Sequence, residues 1–397
     1  MRTRPFTGNM VGSFGIPLSW ANLTHNRLRL FGALMGISFA VNLMFVQMGF
    51  YNALFDAQNQ LLDRLRADFV ITSQSKFCLV GPAPLPRSRL FQARSVAGVT
   101  GVYPLYVEYV LGVWKDEESR NLRPIRIVAI DPDDPILDIP EIALRREALR
   151  STEEVNVLID RRGKPCFGRK VPGAPAELTL HKASIVGTFD LGADFRAERT
   201  AIVNVKHFAK IFSGNLSTAS RSRVELVAVQ LEPGADRAKV RAALEAALPP
   251  DVAVRTKDEV CAMERAYWKE CSPIATVFTL GILVGFIVGV MICYQTLYTE
   301  VVDYMDQFAT LKAIGYSDRS VLSVVMEEAV FYAFLGYVIG LAQALVIYTV
   351  VEGMTGLPMR LSLFRLALIF VLTVGMCAIA GAIAVRKVAS ADPADVF

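Results

Sequence analysis

Four uncharged apolar runs limit what this chain can fold into: Leu30 to Phe55, Ile274 to Leu297, Val330 to Val351 and Leu366 to Val385. Each is long enough, as a helix, to cross about 30 Å of hydrocarbon. The 397-residue chain is 53% hydrophobic, too apolar for an ordinary soluble protein. Its charged side chains gather between Asp56 and Glu270. The pattern predicts an integral membrane α-helical protein: one span, a large polar domain, then three more spans.

The expected boundaries are a terminal segment 1–29, span 1 at 30–55, an α+β domain at 56–255 and a stalk helix at 256–273. Span 2 follows at 274–298, a loop at 299–320, span 3 at 321–351, a short loop at 352–363, span 4 at 364–385 and a tail at 386–397. Arg27 and Arg29 precede the first run as they would in a signal peptide. The run is about twice the usual apolar length and lacks a small-residue cleavage site, so it reads as a retained span. Residues 17–29 fit either an interfacial amphipathic helix or an ordinary lead-in.

Orientation follows from basic residues near the span ends. Arg2, Arg4, Arg27 and Arg29 precede span 1, and Arg386 and Lys387 follow span 4. Both termini are therefore expected in the cytosol, the 56–255 domain outside and the 299–320 loop inside.

Net charge is only +4, and no basic run is interleaved with aromatics, so nucleic acid is not an expected partner. The cysteines are scattered at 78, 166, 261, 271, 293 and 377, without a C-x-x-C pair or a histidine at ligand spacing, so no metal site is expected. Cys261 and Cys271, ten apart on one predicted helix, would lie about 15 Å from each other and could not pair. His181 and His207, the histidines of the external domain, sit in no constellation with a nucleophile, and no catalytic residue is assigned.

Within the domain, alternation predicts strands at Arg126–Ile130, Ala183–Phe189 and Val224–Leu231, with a turn at Asp131–Pro135. A helix carrying Val240, Leu244 and Leu248 on one face and a strand at Val252–Arg255 complete a β-α-β unit. Thr256-Lys257-Asp258-Glu259 has the form of a capping box, so a stalk helix should start there. Pro273 should kink that helix where it enters span 2, acting as a hinge. Residues 51–66 could extend span 1 outward as a second stalk.

Gly281, Gly285 and Gly289 form a ridge on one face of span 2, where another backbone can approach closely. Gly32 and Gly36 repeat the spacing in span 1, as do Gly336 and Gly340 in span 3. The motif leaves open whether the partner is span 1 of the same chain or a second copy. Asn42, Gln47, Gln295 and Gln343 are uncharged amides suited to interhelical hydrogen bonds. No chain of acidic residues or histidines within the runs points to an ion-coupled transporter.

In the loop, Tyr304, Phe308, Leu311 and Ile314 make an apolar helical stripe opposite Asp303, Asp306 and Lys312, and Gly315 stops the helix. This fits a docking knob for a cytosolic partner, or an interfacial helix joining two spans.

Gln307-Phe308-Ala309-Thr310-Leu311-Lys312-Ala313-Ile314-Gly315-Tyr316-Ser317, followed by Glu328-Ala329 and Gly336 to Gly340, resembles the permease domain of the MacB/FtsX superfamily of ABC transporters. Phe278-Thr279-Leu280-Gly281, Tyr294-Gln295, Leu297-Tyr298-Thr299 and Ala391-Asp392-Pro393 are most similar to the DevC-type permeases. Looser similarity covers Gln47-Met48-Gly49-Phe50, Trp114, Asp190 and Thr256 to Trp268.

The resemblance implies a MacB-like (type VII ABC) architecture: a homodimeric permease in the bacterial inner membrane, paired with a cytosolic ABC ATPase dimer. It further implies a periplasmic adaptor, a TolC-like outer-membrane channel and efflux of a lipid-like or hydrophobic substrate. Asp306, Gln307, Phe308, Leu311, Lys312, Ala313, Gly315 and Tyr316 would form the coupling contact with the ATPase. Many relatives carry Glu at the place of Gln307, so either Asp306 supplies the charge or the contact differs. The chain has no G-x-x-x-x-G-K-[ST] loop, so no cofactor is expected in it; ATP and Mg would belong to the partner. Two other classes stay in view: an FtsX-like regulator of an external enzyme, and a membrane enzyme with an external catalytic domain.

Overall fold

The computed structural model describes residues 27–81, 83–116, 121–162, 167, 171–212, 223–305 and 318–389, without the side chains of 29, 318–324 and 387–389. Helix α1 (Arg27–Asp63) leads to strand β1 (Phe69–Ser73), then β2 (Leu85–Pro86), α2 (Ser88–Arg94), β3 (Val99–Glu108), β4 (Val113–Asp116), β5 (Leu122–Pro124) and β6 (Arg126–Ile130). Two short helices, α3 (Pro140–Leu144) and α4 (Arg146–Arg150), precede β7 (Val155–Asp160), β8 (Pro175–Leu178), β9 (His181–Phe189), β10 (Thr200–Asn204) and α5 (Val205–Ile211). Then come β11 (Arg223–Val224), β12 (Leu226–Leu231), α6 (Arg237–Ala247), β13 (Val252–Thr256) and α7 (Lys257–Cys271). The chain continues as α8 (Pro273–Asp303), α9 (Asp318–Thr355) and α10 (Leu363–Ala389).

Two compact units divide these elements. The first holds residues 1–50, 277–348 and 361–397; the second holds 51–276 and 349–360. Four helical stretches, Leu30–Asp63, Pro273–Asp303, Val325–Thr355 and Leu363–Arg386, are long and apolar enough to span a membrane. The protein is a multi-pass membrane protein with a large α+β domain between spans 1 and 2.

In the first unit the inward faces share one apolar core, including Ile37, Met44 and Phe45 of α1, Leu297 of α8, Ala329 and Ala333 of α9, and Met376 and Ala380 of α10. The outward faces are equally apolar: Leu280, Val284, Ile287 and Met291 on α8, and Val330, Phe334 and Val338 on α9, stand exposed. Hydrocarbon on both sides of a helix is the composition that lipid, not water, accommodates.

The second unit is built on an 11-stranded sheet in the order β13-β1-β12-β3-β6-β10-β7-β9-β8-β4-β5. Period-two alternation gives the sheet two buried faces. Phe69, Ile71, Val227 and Val229 pack on one face with Leu244 of α6. Val70, Leu226 and Ala228 pack on the other with Leu61 and Leu62 of α1 and Val260 of α7.

The expected β-α-β unit is present in split form, with a third strand between its two parallel strands. Strands β12 and β13 are joined through α6, but both pair antiparallel with β1, which lies between them. The intervening strand comes from just after α1, about 150 residues earlier, and local periodicity carries no trace of such an insertion. Arg126–Ile130, Ala183–Phe189 and most of Val224–Leu231 are strands, and Asp131–Pro135 lies in a turn segment.

Candidate functional site

The expected coupling residues Asp306, Gln307, Phe308, Leu311, Lys312, Ala313, Gly315 and Tyr316 lie outside the described residues. What the structure gives is the frame around them: the ends of α8 and α9, the glycine faces, and the helices that root the α+β domain.

Helix α1 runs unbroken to Asp63, beyond the expected end of span 1. The residues just after it are held within the domain: Arg66 N donates to Ile136 O at 2.7 Å and Asp138 N to Arg64 O at 2.7 Å. Helix α7 starts beside it, because the β1–β13 register pairs Phe69 with Thr256. The capping box closes there: Glu259 N donates to Thr256 Oγ1 at 3.2 Å and Thr256 N to Glu259 Oε2 at 2.8 Å. Arg241 beside Glu259 holds its carboxyl below the usual carboxylate range, with the Thr256 amide adding to the effect.

Lys257 Nζ then donates to Asp63 O at 3.0 Å and Leu65 O at 3.3 Å, tying the two helices together at their base. Farther along, Leu54 and Phe55 of α1 pack with Tyr267 and Trp268 of α7. Glu264, 1% exposed, accepts from Leu79 N at 2.7 Å and Trp268 Nε1 at 2.8 Å, and burial pushes its carboxyl up despite these donors. A carboxylate placed this deep is tolerated because both oxygens find donors.

At Pro273 the helix is interrupted. Helix α7 ends at Cys271, Ser272 is extended (φ −101°, ψ 118°), and Pro273 opens α8. Proline forces its predecessor out of the helical region and suits the first turn of a new helix, where no amide hydrogen is needed.

A third attachment was not anticipated from sequence. Residues 349–360, between α9 and α10, belong to the α+β unit. Ala193 N donates to Gly356 O at 3.3 Å, and Gln60 Nε2 of α1 donates to Ala193 O at 3.2 Å. Arg162 pairs with Glu352 at 3.8 Å. Asp160, fully buried, accepts from Gly192 N at 2.8 Å and Leu191 N at 3.2 Å, shaping the loop that presents Ala193. Gly192 (φ +115°) and Gly356 (φ +72°) occupy backbone regions that favour glycine. The sequence signal is Gly356, the residue that follows the end of α9.

The glycine ridge of α8 lies against α1. A Cβ on Gly281 would sit 2.5 Å from Gln47 Cδ, one on Gly285 3.0 Å from Met44 Cγ, and one on Gly289 3.1 Å from Ala40 Cβ. Gly36 faces Ile292 of α8, and Gly340 of α9 lies against Val41 and Ser38 of α1. A Cβ on Gly32 would meet nothing within 4 Å among the described residues. Span 1 is thus the close neighbour of spans 2 and 3 within one chain, and Gly32 alone of these glycines lacks such a contact among the described residues.

Asn42 Oδ1 accepts no hydrogen bond among the described residues. Three tyrosines of α9 cross-link the helices, each to a different span. Tyr332 OH donates to Glu300 of α8, Tyr337 OH to Leu366 O of α10 at 3.1 Å, and Tyr348 OH to Phe45 O of α1. The apolar ring and polar tip let tyrosine cross a packed interface and still find an acceptor.

Trp114, 1% exposed, donates to Phe167 O at 3.2 Å. Asp190 pairs with Arg161, whose guanidinium holds the carboxyl below its usual range. His181 and His207 sit on different elements, β9 and α5, and burial pushes the His207 imidazole down. The described cysteines, Cys78, Cys261, Cys271, Cys293 and Cys377, are unpaired thiols. A recess of about 200 Å³ between α2 and the turn after β6 is lined by Arg87, Arg94, Tyr106 and Asp134. Burial, with Asp131 and Asp133 nearby, pushes the Asp134 carboxyl up to about 6.

Residues 278–393 match the family described as FtsX-like permease C-terminal. The crystal structure of the extracellular domain of the noncanonic ABC-type transporter YknZ from Gram-positive bacteria matches at 13% identity with a TM-score of 0.32, covering 48% of this chain and 100% of that one. No curated protein sequence matches the chain.

Proposed function

We propose that this chain is the permease subunit of an ABC transporter of the MacB/FtsX superfamily, of DevC type and MacB-like architecture. A separate cytosolic ATPase dimer hydrolyses ATP, and residues 306–316 take up its motion as the coupling helix. The observation that carries this reading is the FtsX-like match over residues 278–393, which contains that segment, most of span 2 and all of spans 3 and 4. Helix α1 leads into β1 and α7 leaves β13, which are adjacent strands of the α+β domain. The protein works as a homodimer in the bacterial inner membrane with both termini cytosolic. It drives efflux of a lipid-like or hydrophobic substrate through a periplasmic adaptor and a TolC-like outer-membrane channel.

The family description applies equally to a second reading, in which the same motion activates an external enzyme, as FtsX-type proteins do with cell-wall hydrolases. Co-purification of the tagged full-length chain from membranes separates the two. An ATPase with an adaptor and outer-membrane channel supports export. An ATPase with a hydrolase supports regulation, and absence of any ATPase refutes both.

A further inference from the structure

The ends of α8 and α9 that flank residues 306–317 hold an ionisable pair where apolar packing would be expected. Glu300 is 8% exposed and Glu328 4% exposed, one turn before the fully buried Tyr332. Around them lie Leu297 and Val301 of α8 and Val325, Ala329 and Ala333 of α9, all in the apolar core of the spans. Tyr332 OH donates to Glu300 Oε1 across the two helices.

A buried carboxyl in such surroundings is unfavourable unless hydrogen-bonded, and an apolar side chain of similar volume would serve stability at least as well. Ionisable groups inside membrane segments therefore mark function by default. The position matters as much as the chemistry. Glu300 lies three residues before the end of α8, and Tyr332 two turns into the apolar part of α9. Their bond fixes the register of one helix against the other, near the end of α8 and at the start of the apolar part of α9.

We propose that Glu300 and Tyr332, with Glu328 beside them, form a polar latch that makes the ends of spans 2 and 3 move as one body. These are positioning residues: they do not touch the ATPase, but they set how displacement of residues 306–317 is shared between the two helices. The inference rests on the coupling role proposed above for that segment.

The test uses Tyr332→Phe and Glu300→Gln in the full-length chain, reconstituted in nanodiscs with its cognate ABC ATPase. In Tyr332→Phe, amide hydrogen exchange across residues 297–303 should accelerate about tenfold, the effect of losing one hydrogen bond to a carboxylate. ATP turnover in the bound complex should fall by a similar factor while ATPase affinity is unchanged. Glu300→Gln keeps an acceptor for the tyrosine and should retain most of both properties. Unchanged exchange in Tyr332→Phe overturns the latch, as does a parallel loss of affinity and turnover. If the wild-type chain binds no ATPase, the coupling reading fails, and the exchange measurement still decides whether the latch exists.

Discussion

Lys257, the first residue of α7, hydrogen-bonds the carbonyl oxygen of Asp63, the last residue of α1, at 3.0 Å. Two helices that sequence separates by almost the whole α+β domain are thereby tied at their base. The tie exists because β1 and β13 are sheet neighbours, so the helix entering one strand and the helix leaving the other lie side by side. Lys257→Met keeps the aliphatic stem and removes the donor. It should lower stability of the full-length chain in micelles by about 1 kcal/mol, read by denaturant titration.

The glycine faces separate contacts within the chain from contacts beyond it. Gly285→Val should destabilise the fold by about 1–3 kcal/mol, because the added methyls meet Met44 in a packed interface. Gly32→Leu places its Cβ where nothing lies within 4 Å among the described residues. If the proposed homodimer uses this face, the substitution should leave the thermal midpoint unchanged and lower the dimer fraction measured by light scattering.

The loop attachment depends on two residues in conformations that favour glycine. Gly356→Ala would strain a φ of +72° and press a methyl onto the Arg162 carbonyl. A loss of about 1–3 kcal/mol is expected on thermal unfolding, whereas Gly353→Ala, with nothing within 4 Å, should be close to neutral.

Asp134 provides a pH test with a definite sign. Its folded pKa is raised from 3.8 to about 6, so the folded state binds the extra proton in that interval. The stability it contributes is fully present below the unfolded value and is lost as pH rises through the folded one. Asp134→Asn should therefore flatten the fall in stability between about pH 4 and pH 6 and be the more stable form above it. A midpoint-versus-pH series for both proteins checks this.

Much of the architecture was legible because membrane insertion imposes a strong local code: long uncharged runs, glycine spacing, and a capping box that closes on Thr256 and Glu259. What escaped was non-local. Insertion of β1 between β12 and β13 turns on pairing across about 150 residues, and the Gly356 attachment on a contact with Ala193 far along the chain. In sequence Tyr332 is one aromatic among several in the apolar run Val330 to Val351, and Glu300 falls in the expected 299–320 loop. Only packing of α8 on α9 shows that they meet.

The most direct measurement is ATPase binding and turnover with the permease carrying Leu311→Asp or Ala313→Asp, in nanodiscs beside the wild-type chain. A coupling helix at 306–316 requires that a charge on its apolar stripe abolish binding, or leave the ATPase bound with turnover no longer altered by the permease. Wild-type binding and wild-type turnover in both variants would contradict the assignment of that segment as the ATPase contact.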